Sequence, residues 1–257
     1  MSVQSHRSDP RILGRRTLEH DHRHLATLLR PGLSVLDVGC GTGAITAGIA
    51  RAVGPDGSVA GIDRNQELLA VAMSAHSEIA NLRFETGDAT DLPYSRQFDI
   101  VTAARVLQWI ENPASAIERM KRAIKRGGLL VVLDYNHAQN AWEPQPPPEF
   151  MRFYQAFLDW RQANQWDNEM ADHLPELFRE AGLQNVESFV QDEIAENSSL
   201  WTEVIDSVGS LMQVAGFCTP TGLQQARDAY VPWVETELRK QTLAMRTVTG
   251  VSALPSG

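Results

Sequence analysis

From residue 34 onward two hydrophobic rhythms alternate along the chain. Short apolar runs end in glycine or a turn, and between them lie segments with an apolar residue every three or four positions. Ser34–Val38, Ser58–Ile62, Leu82–Thr86, Phe98–Ala103 and Leu129–Tyr135 read as buried strands. Ala44–Val53, Gln66–His76 and Ala114–Ala123 read as the helices among them. Gly54, the turn Pro55-Asp56-Gly57 and the pair Gly127-Gly128 punctuate the series. An earlier helix is predicted over Leu13–Leu29, closed by Pro31-Gly32, and the first ten residues are polar.

After Tyr135 the rhythm changes. The run Trp142-Glu-Pro-Gln-Pro-Pro-Pro148 is too rich in proline for helix. Phe150, Phe153, Tyr154, Phe157, Leu158 and Trp160 then recur at helical spacing. A helix over Leu174–Ala181 stops at Gly182, and Val186–Val190 reads as a sixth strand. Two amphipathic helices are expected next, along Trp201, Ile205, Val208, Leu211 and Met212 and along Leu223, Ala226, Tyr230, Trp233 and Leu238. Thr242–Leu254 reads as a final edge strand.

The expectation is an α/β fold: a doubly wound, mostly parallel, seven-stranded Rossmann-like sheet, with an α-helical cap built from insertions over its mouth. In segments, 1–32 is an N-terminal helical segment and 33–140 the core, 141–170 a cap or lid helix insertion and 171–194 a core helix and strand. The segment 195–240 is a second helical insertion and 241–257 the C-terminal edge strand.

A chain of 257 residues with 43% hydrophobic and 21% charged residues has the make-up of an ordinary globular protein. The net charge of -9 and the lack of a Lys/Arg run argue against a phosphate-backbone ligand, so no nucleic-acid partner is expected. No apolar stretch approaches the roughly 20 residues of a membrane span, and the N-terminus lacks a secretory signal's apolar core. Two distant cysteines, Cys40 and Cys218, suit a reducing cytoplasm. The oligomeric state is left open between monomer and homodimer. His20, His22 and His24 invite a metal reading, but helical geometry turns His22 away from the other two, and no metal is expected.

The stretch Val35-Leu-Asp-Val-Gly-Cys-Gly-Thr-Gly43 carries the chemistry. Glycines between a strand and a helix let the backbone bend sharply and let a ligand approach it closely. Asp63, twenty residues after Gly43, closes the next strand, where a carboxylate can accept two hydrogen bonds from a ribose diol. Gly39, Gly41 and Ala44 also satisfy the dinucleotide pattern, so the loop alone does not decide between ligands. Asp37 inside the first strand favours a cationic ligand that lacks a pyrophosphate. At the end of the third strand stand Gly87-Asp88-Ala89, where an aspartate can accept from an adenine amino group while the next amide donates to the ring.

VLDVGCGTG, GIDRN (Gly61–Asn65), GDATDLP (Gly87–Pro93), FDIV (Phe98–Val101), VLQWIENP (Val106–Pro113) and KRGGLLVVLD (Lys125–Asp134) follow one another in this order. The series resembles the motifs of class I methyltransferases dependent on S-adenosyl-L-methionine (SAM), most closely the small-molecule branch called type 11 or UbiE-like, and it covers about Leu33 to Asp134. The resemblance implies that Gly39, Gly41 and Gly43 line the methionine part of SAM, that Asp37 and Cys40 also belong to the cofactor site, and that Asp63 takes the ribose. Arg64 then packs by the adenine, Gly87, Asp88 and Ala89 read it, and Ala104 and Arg105 approach the methionine end.

The implied reaction is SN2 methyl transfer to a small organic O-, N- or C-nucleophile, leaving S-adenosyl-L-homocysteine (SAH). Two other readings are weighed beside it: a non-catalytic SAM-binding module and an NAD(P)-dependent oxidoreductase. Gln108, Trp109, Tyr135, Asn136, Phe153, Tyr154 and Phe157 are expected at the acceptor pocket, with His137, just past the fifth strand, as the candidate general base. The aromatic stripe also has a purely structural reading, as the packing face of the cap helix, and the proline run before it suits a lid hinge.

Overall fold

A computed structural model describes residues 10–253 except 197 and 199. The described residues open with three short helices, α1 (Pro10–Leu13), α2 (Leu18–Asp21) and α3 (Arg23–Leu28). Then follow β1 (Ser34–Val38), α4 (Ala44–Val53), β2 (Ser58–Asp63), α5 (Gln66–Ala75), β3 (Leu82–Thr86), β4 (Phe98–Ala104), α6 (Pro113–Ala123) and β5 (Ile124–Tyr135). Next are β6 (Ala141–Glu143), α7 (Pro148–Ala163), α8 (Met170–Glu180), β7 (Gln184–Val190) and β8 (Glu193–Ala195). The last elements are α9 (Leu200–Val214), α10 (Pro220–Thr236), β9 (Lys240–Leu243) and β10 (Met245–Val251).

Two compact units result. One holds residues 10–135, 170–191 and 245–253, and the other residues 136–169 and 192–244. The first is built on a seven-stranded sheet in the order β3-β2-β1-β4-β5-β10-β7, parallel except for β10, which runs against both its neighbours. Alternate residues of each strand feed opposite faces. Leu36, Ala60, Val101, Leu130 and Val132 pack with Ile117, Met120, Leu174 and Phe178 of α6 and α8. Val35, Val59, Ile100 and Val131 pack with Ile49 and Val53 of α4 and with Leu18 and Leu25 of the N-terminal helices. Burying both faces is why these strands read as continuous apolar runs. Side-chain caps start the helices that follow: Asn65 accepts from the amides of Glu67 and Leu68, and Asn112 from that of Ser115.

The second unit packs α7, α9 and α10 with a three-stranded antiparallel sheet ordered β6-β9-β8. Its interior is aromatic. Phe150 stacks on Tyr230 with ring centroids 4.1 Å apart, and Trp201 meets Tyr154 edge-on at 4.9 Å. Trp142 meets Tyr154 at 5.0 Å. Such contacts add to the apolar area these rings bury.

Four expectations are corrected. The single helix over Leu13–Leu29 is broken into three pieces, because Thr17 caps a new start and His22, at φ -144, leaves helical geometry. Gly127-Gly128 is not a turn before the fifth strand but lies within β5, where the register with β4 shifts between Phe98 and Ile100. A Cβ on Gly128 would stand 2.6 Å from the Asp99 carbonyl oxygen, so only glycine lets the strands stay this close. The C-terminal strand is not an edge: β10 lies between β5 and β7, and β7 is the edge. Within β10 Thr247 is buried, its hydroxyl donating to Gln191 Oε1 at 2.8 Å. The insertions are not purely helical, since β6, β8 and β9 accompany the helices. Residues 1–9 of the expected N-terminal segment and residues 254–257 of the expected last strand lie outside the described residues.

Candidate functional site

The loop from β1 to α4 carries three left-handed glycines: Gly39 at φ +75, Gly41 at +55 and Gly43 at +73. At Gly39 a side chain is barred twice, because a Cβ would also lie 2.4 Å from Val106 Cγ2. The loop amides are largely spent on the protein. Gly39 and Cys40 donate to the Ile62 carbonyl at 2.7 and 3.0 Å, and Gly43 donates to that of Cys40 at 2.9 Å. Gly41 donates to Asp63 Oδ2 at 2.8 Å, and Asp63 Oδ1 takes the Asn65 amide at 2.8 Å. A loop so satisfied offers few donors to a pyrophosphate, which argues against a dinucleotide.

Asp37 is buried below the loop, its Oδ2 accepting the Thr46 hydroxyl at 2.7 Å. Burial pushes its pKa up to about 7 against the opposing Thr46 bond, with the Asp63 charge adding to the rise. The same burial, with Asp37 and Asp63 beside it, pushes the Cys40 thiol well above its ordinary range, so this cysteine is an inert neutral group. Thr42, also buried, has a hydroxyl oxygen with no hydrogen-bond partner among the described residues. A buried polar atom without a partner inside a glycine loop fits a ligand.

The ends of β2 and β3 are tied together by the Gly87 amide donating to the Asp63 carbonyl at 3.1 Å. Asp88 is exposed, and its Oδ1 accepts both the amide and the hydroxyl of Thr90, at 2.8 and 2.6 Å. Its burial would raise the pKa, but the Thr90 bonds and the Arg64 charge outweigh that and leave it lowered, so the group is a standing anion. Arg64 is exposed and Ala89 half-buried. The structure thus brings Asp37, Gly39, Cys40, Gly41, Gly43, Asp63, Arg64, Gly87, Asp88 and Ala89 to the carboxyl ends of β1, β2 and β3.

Arg105 follows directly on β4, as expected. At φ +63 after β4, its guanidinium is buried against Asp21, with Nη2 at 3.3 Å from Oδ1 and Nη1 at 3.1 Å from the carbonyl. Its Nε donates to the Tyr135 hydroxyl at 3.0 Å. This side chain therefore fastens the N-terminal helices to the rim of the sheet. Beside it, His22 is fully buried, with Nε2 2.8 Å from the Thr102 hydroxyl, which itself donates to the Val131 carbonyl at 2.8 Å. Burial, then the charges of Arg105 and His24, lower its pKa to about 3, so the ring is neutral. The three N-terminal histidines diverge: His20 is exposed, His22 faces Thr102, and His24 stacks on Phe189 at 3.9 Å.

Of the residues expected at an acceptor pocket, Gln108, Trp109 and Tyr135 belong to the sheet unit, and Asn136, His137, Phe153, Tyr154 and Phe157 to the aromatic unit. Gln108 is buried, its amide donating to Asp134 Oδ2 at 3.2 Å. Phe153, Tyr154 and Phe157 lie on the buried face of α7, the packing role the stripe also allowed. His137 meets Phe157 edge-on at 5.6 Å, and its carbonyl accepts the Tyr154 hydroxyl at 2.5 Å. Burial, and after it the Arg161 charge, hold its pKa well below the ordinary value. Both oppose taking up a proton, which works against the expected role of general base.

Sequence reasoning missed Asp21, Thr42, Thr46 and Asp134. Asp134 is fully buried and accepts from the Gln108 amide and from its neighbour Tyr135. An acid closing a buried apolar strand was the same signal at Asp134 as at Asp37. Thr42 and Thr46 were visible only as loop and helix filler.

Among the described residues, no helix is long and apolar enough to cross a membrane. A family model described as a methyltransferase domain matches residues 29–208. The demethylmenaquinone methyltransferase of Staphylococcus carnosus is 31% identical over 179 residues, 62% of this chain and 71% of that protein. Among solved structures, the YcgJ protein from Bacillus subtilis aligns with a TM-score of 0.60 at 18% identity, covering 92% of this chain and 99% of that one. A SAM-dependent methyltransferase from Aquifex aeolicus aligns with a TM-score of 0.56 at 17% identity, covering 96% and 100%. The fold is theirs, and by the family model and the curated relative the chain belongs to the methyltransferase domain family.

Proposed function

We propose that this chain binds SAM at the carboxyl ends of β1, β2 and β3 and transfers its methyl group to a small organic acceptor. One observation carries the reading: the glycine loop and Asp63 converge, joined by the Gly41 amide on the Asp63 carboxylate. The partnerless Thr42 hydroxyl and the cation-seeking Asp37 fit a ligand that ends in an amino acid. Asp63 would accept the ribose hydroxyls, Asp88 the adenine amino group, and the Ala89 amide would donate to the ring. The glycines admit the methionyl part close to the backbone. When bound, SAM supplies a sulfonium-activated methyl group. The protein's share is to orient the acceptor and exclude water.

The relative's name offers an acceptor class: an electron-rich ring carbon or oxygen, as in the reduced, quinol form of demethylmenaquinone. Such an acceptor, once ionised, needs no enzymic base, in keeping with the weak basicity that burial gives His137. The proposal places the chain in the cytoplasm, as a monomer or homodimer. Incubation with methyl-labelled SAM and reduced naphthoquinols, phenols and amines tests it. Label in one acceptor class, lost in Asp63→Ala, is expected. Tight SAM binding with no label in any class would leave a binding module instead.

A further inference from the structure

Asp37 is a buried carboxyl in an environment that gives it almost nothing. It is 4% exposed, and its only bonding partner among the described residues is the Thr46 hydroxyl from α4. Its register neighbours, Gly61 on β2 and Thr102 on β4, carry no charge. The titratable group that acts on it is Asp63 at the end of β2, an acid, and Asp37 in turn helps keep the Cys40 thiol in the loop neutral. No lysine, arginine or histidine is paired with it among the described residues. A carboxylate stripped of water and facing a second acid is unstable unless it keeps a proton or gains a cation. The direction of its pKa agrees, raised by burial to about 7.

We propose that Asp37 is the proton-release group of cofactor binding: it is a neutral carboxylic acid in the free protein and ionises when a ligand's ammonium group enters the glycine crevice. The inference rests on the SAM reading above and adds a linkage to it. The O–H bond of the carboxyl breaks, its electron pair stays on oxygen, and the proton passes to the buffer. The ligand's ammonium supplies the compensating charge, and nothing is oxidised or reduced. Adenosyl ligands bearing an amino-acid ammonium should show the effect, and those lacking it should not.

Titration calorimetry of the full chain at pH 6.5, in buffers of different ionisation enthalpy, counts the protons exchanged. SAH should release about three-quarters of a proton, the fraction a group of pKa about 7 still holds at that pH. 5′-Methylthioadenosine, which has no ammonium, should release almost none. SAH affinity should rise up to roughly tenfold per pH unit below 7 and level off above it. Asp37→Asn, whose amide oxygen can still accept from Thr46, should bind SAH without proton release and with a flat pH profile. The comparison of two ligands on the unaltered protein stands even if that variant fails to fold. Binding of SAH with no buffer dependence, or equal release with both ligands, overturns the inference while leaving SAM binding intact. A chain that binds no SAH at all removes the cofactor reading, and the inference with it.

Discussion

Asp63 accepts the Gly41 amide on one carboxylate oxygen and the Asn65 amide on the other, both at 2.8 Å. The end of β2 is thereby fastened to the loop that leaves β1, so the acid and the bare backbone form one feature. A ribose diol bound there would share or replace these bonds, which makes ligand affinity sensitive to the carboxylate itself. Asp63→Asn should weaken SAH by about 100-fold, the roughly 2–3 kcal/mol of hydrogen bonds to a charged group. Titration calorimetry checks this. An unchanged affinity would detach Asp63 from the ligand.

Gly39→Ala should destabilise the fold by roughly 2–4 kcal/mol, combining left-handed strain with overpacking on Val106. Gly182→Ala is the control: its φ is also +75 but nothing stands within 4 Å of the added carbon, so only the strain of about 1–2 kcal/mol applies. Urea midpoints for the pair isolate the contact with Val106. Equal losses would remove it.

The Arg105–Asp21 pair is buried on both sides, with side-chain exposures of 3% and 11%. Removing one partner strands the other, so Arg105→Met should cost about 3 kcal/mol. The double variant with Asp21→Asn should be no worse than the single. Hydrogen exchange should show α2 and α3 loosening first. A double variant whose losses simply add would deny the coupling.

Two buried groups give stability opposite pH slopes. His22 stays neutral down to about 3 while the unfolded chain takes up its proton near 6.5. Stability from His22 is therefore complete above pH 6.5 and is lost as pH falls towards 3, by about 2 kcal/mol at pH 5. His22→Gln should flatten the acid limb of a melting-temperature profile. Asp37 acts the other way: the folded form keeps its proton up to about pH 7, the unfolded form only to 3.8, so its contribution fades as pH rises between them. Asp37→Asn should melt higher than the natural chain at pH 8 and much the same at pH 4. Parallel profiles for variants and natural chain would contradict both assignments.

The parallel core was legible because β1, β2, β4 and β5 are buried on both faces, which writes unbroken apolar runs into the chain. The loop and Asp63 were legible because glycine and an acid at strand ends have few other uses. What escaped notice depends on distant partners. In β10 the buried Thr247 hydroxyl is served by Gln191, a pairing across 56 positions. At the break after Asp21, that residue meets Arg105, 84 positions away. β6, β8 and β9 are three or four residues each, too short to show a period of two against their neighbours. His137 was chosen for its place after a strand, and place alone does not reveal that the ring is buried beside Arg161.

A crystal structure of the chain with SAH would show whether the glycine loop and Asp63 cradle the ligand together. The expected result is ribose hydroxyls within hydrogen-bond distance of the Asp63 carboxylate, the adenine edge at Asp88 and Ala89, and the amino-acid end along Gly39–Gly43. Density for the ligand at any other place, or a crevice that stays closed at saturating SAH, would contradict it.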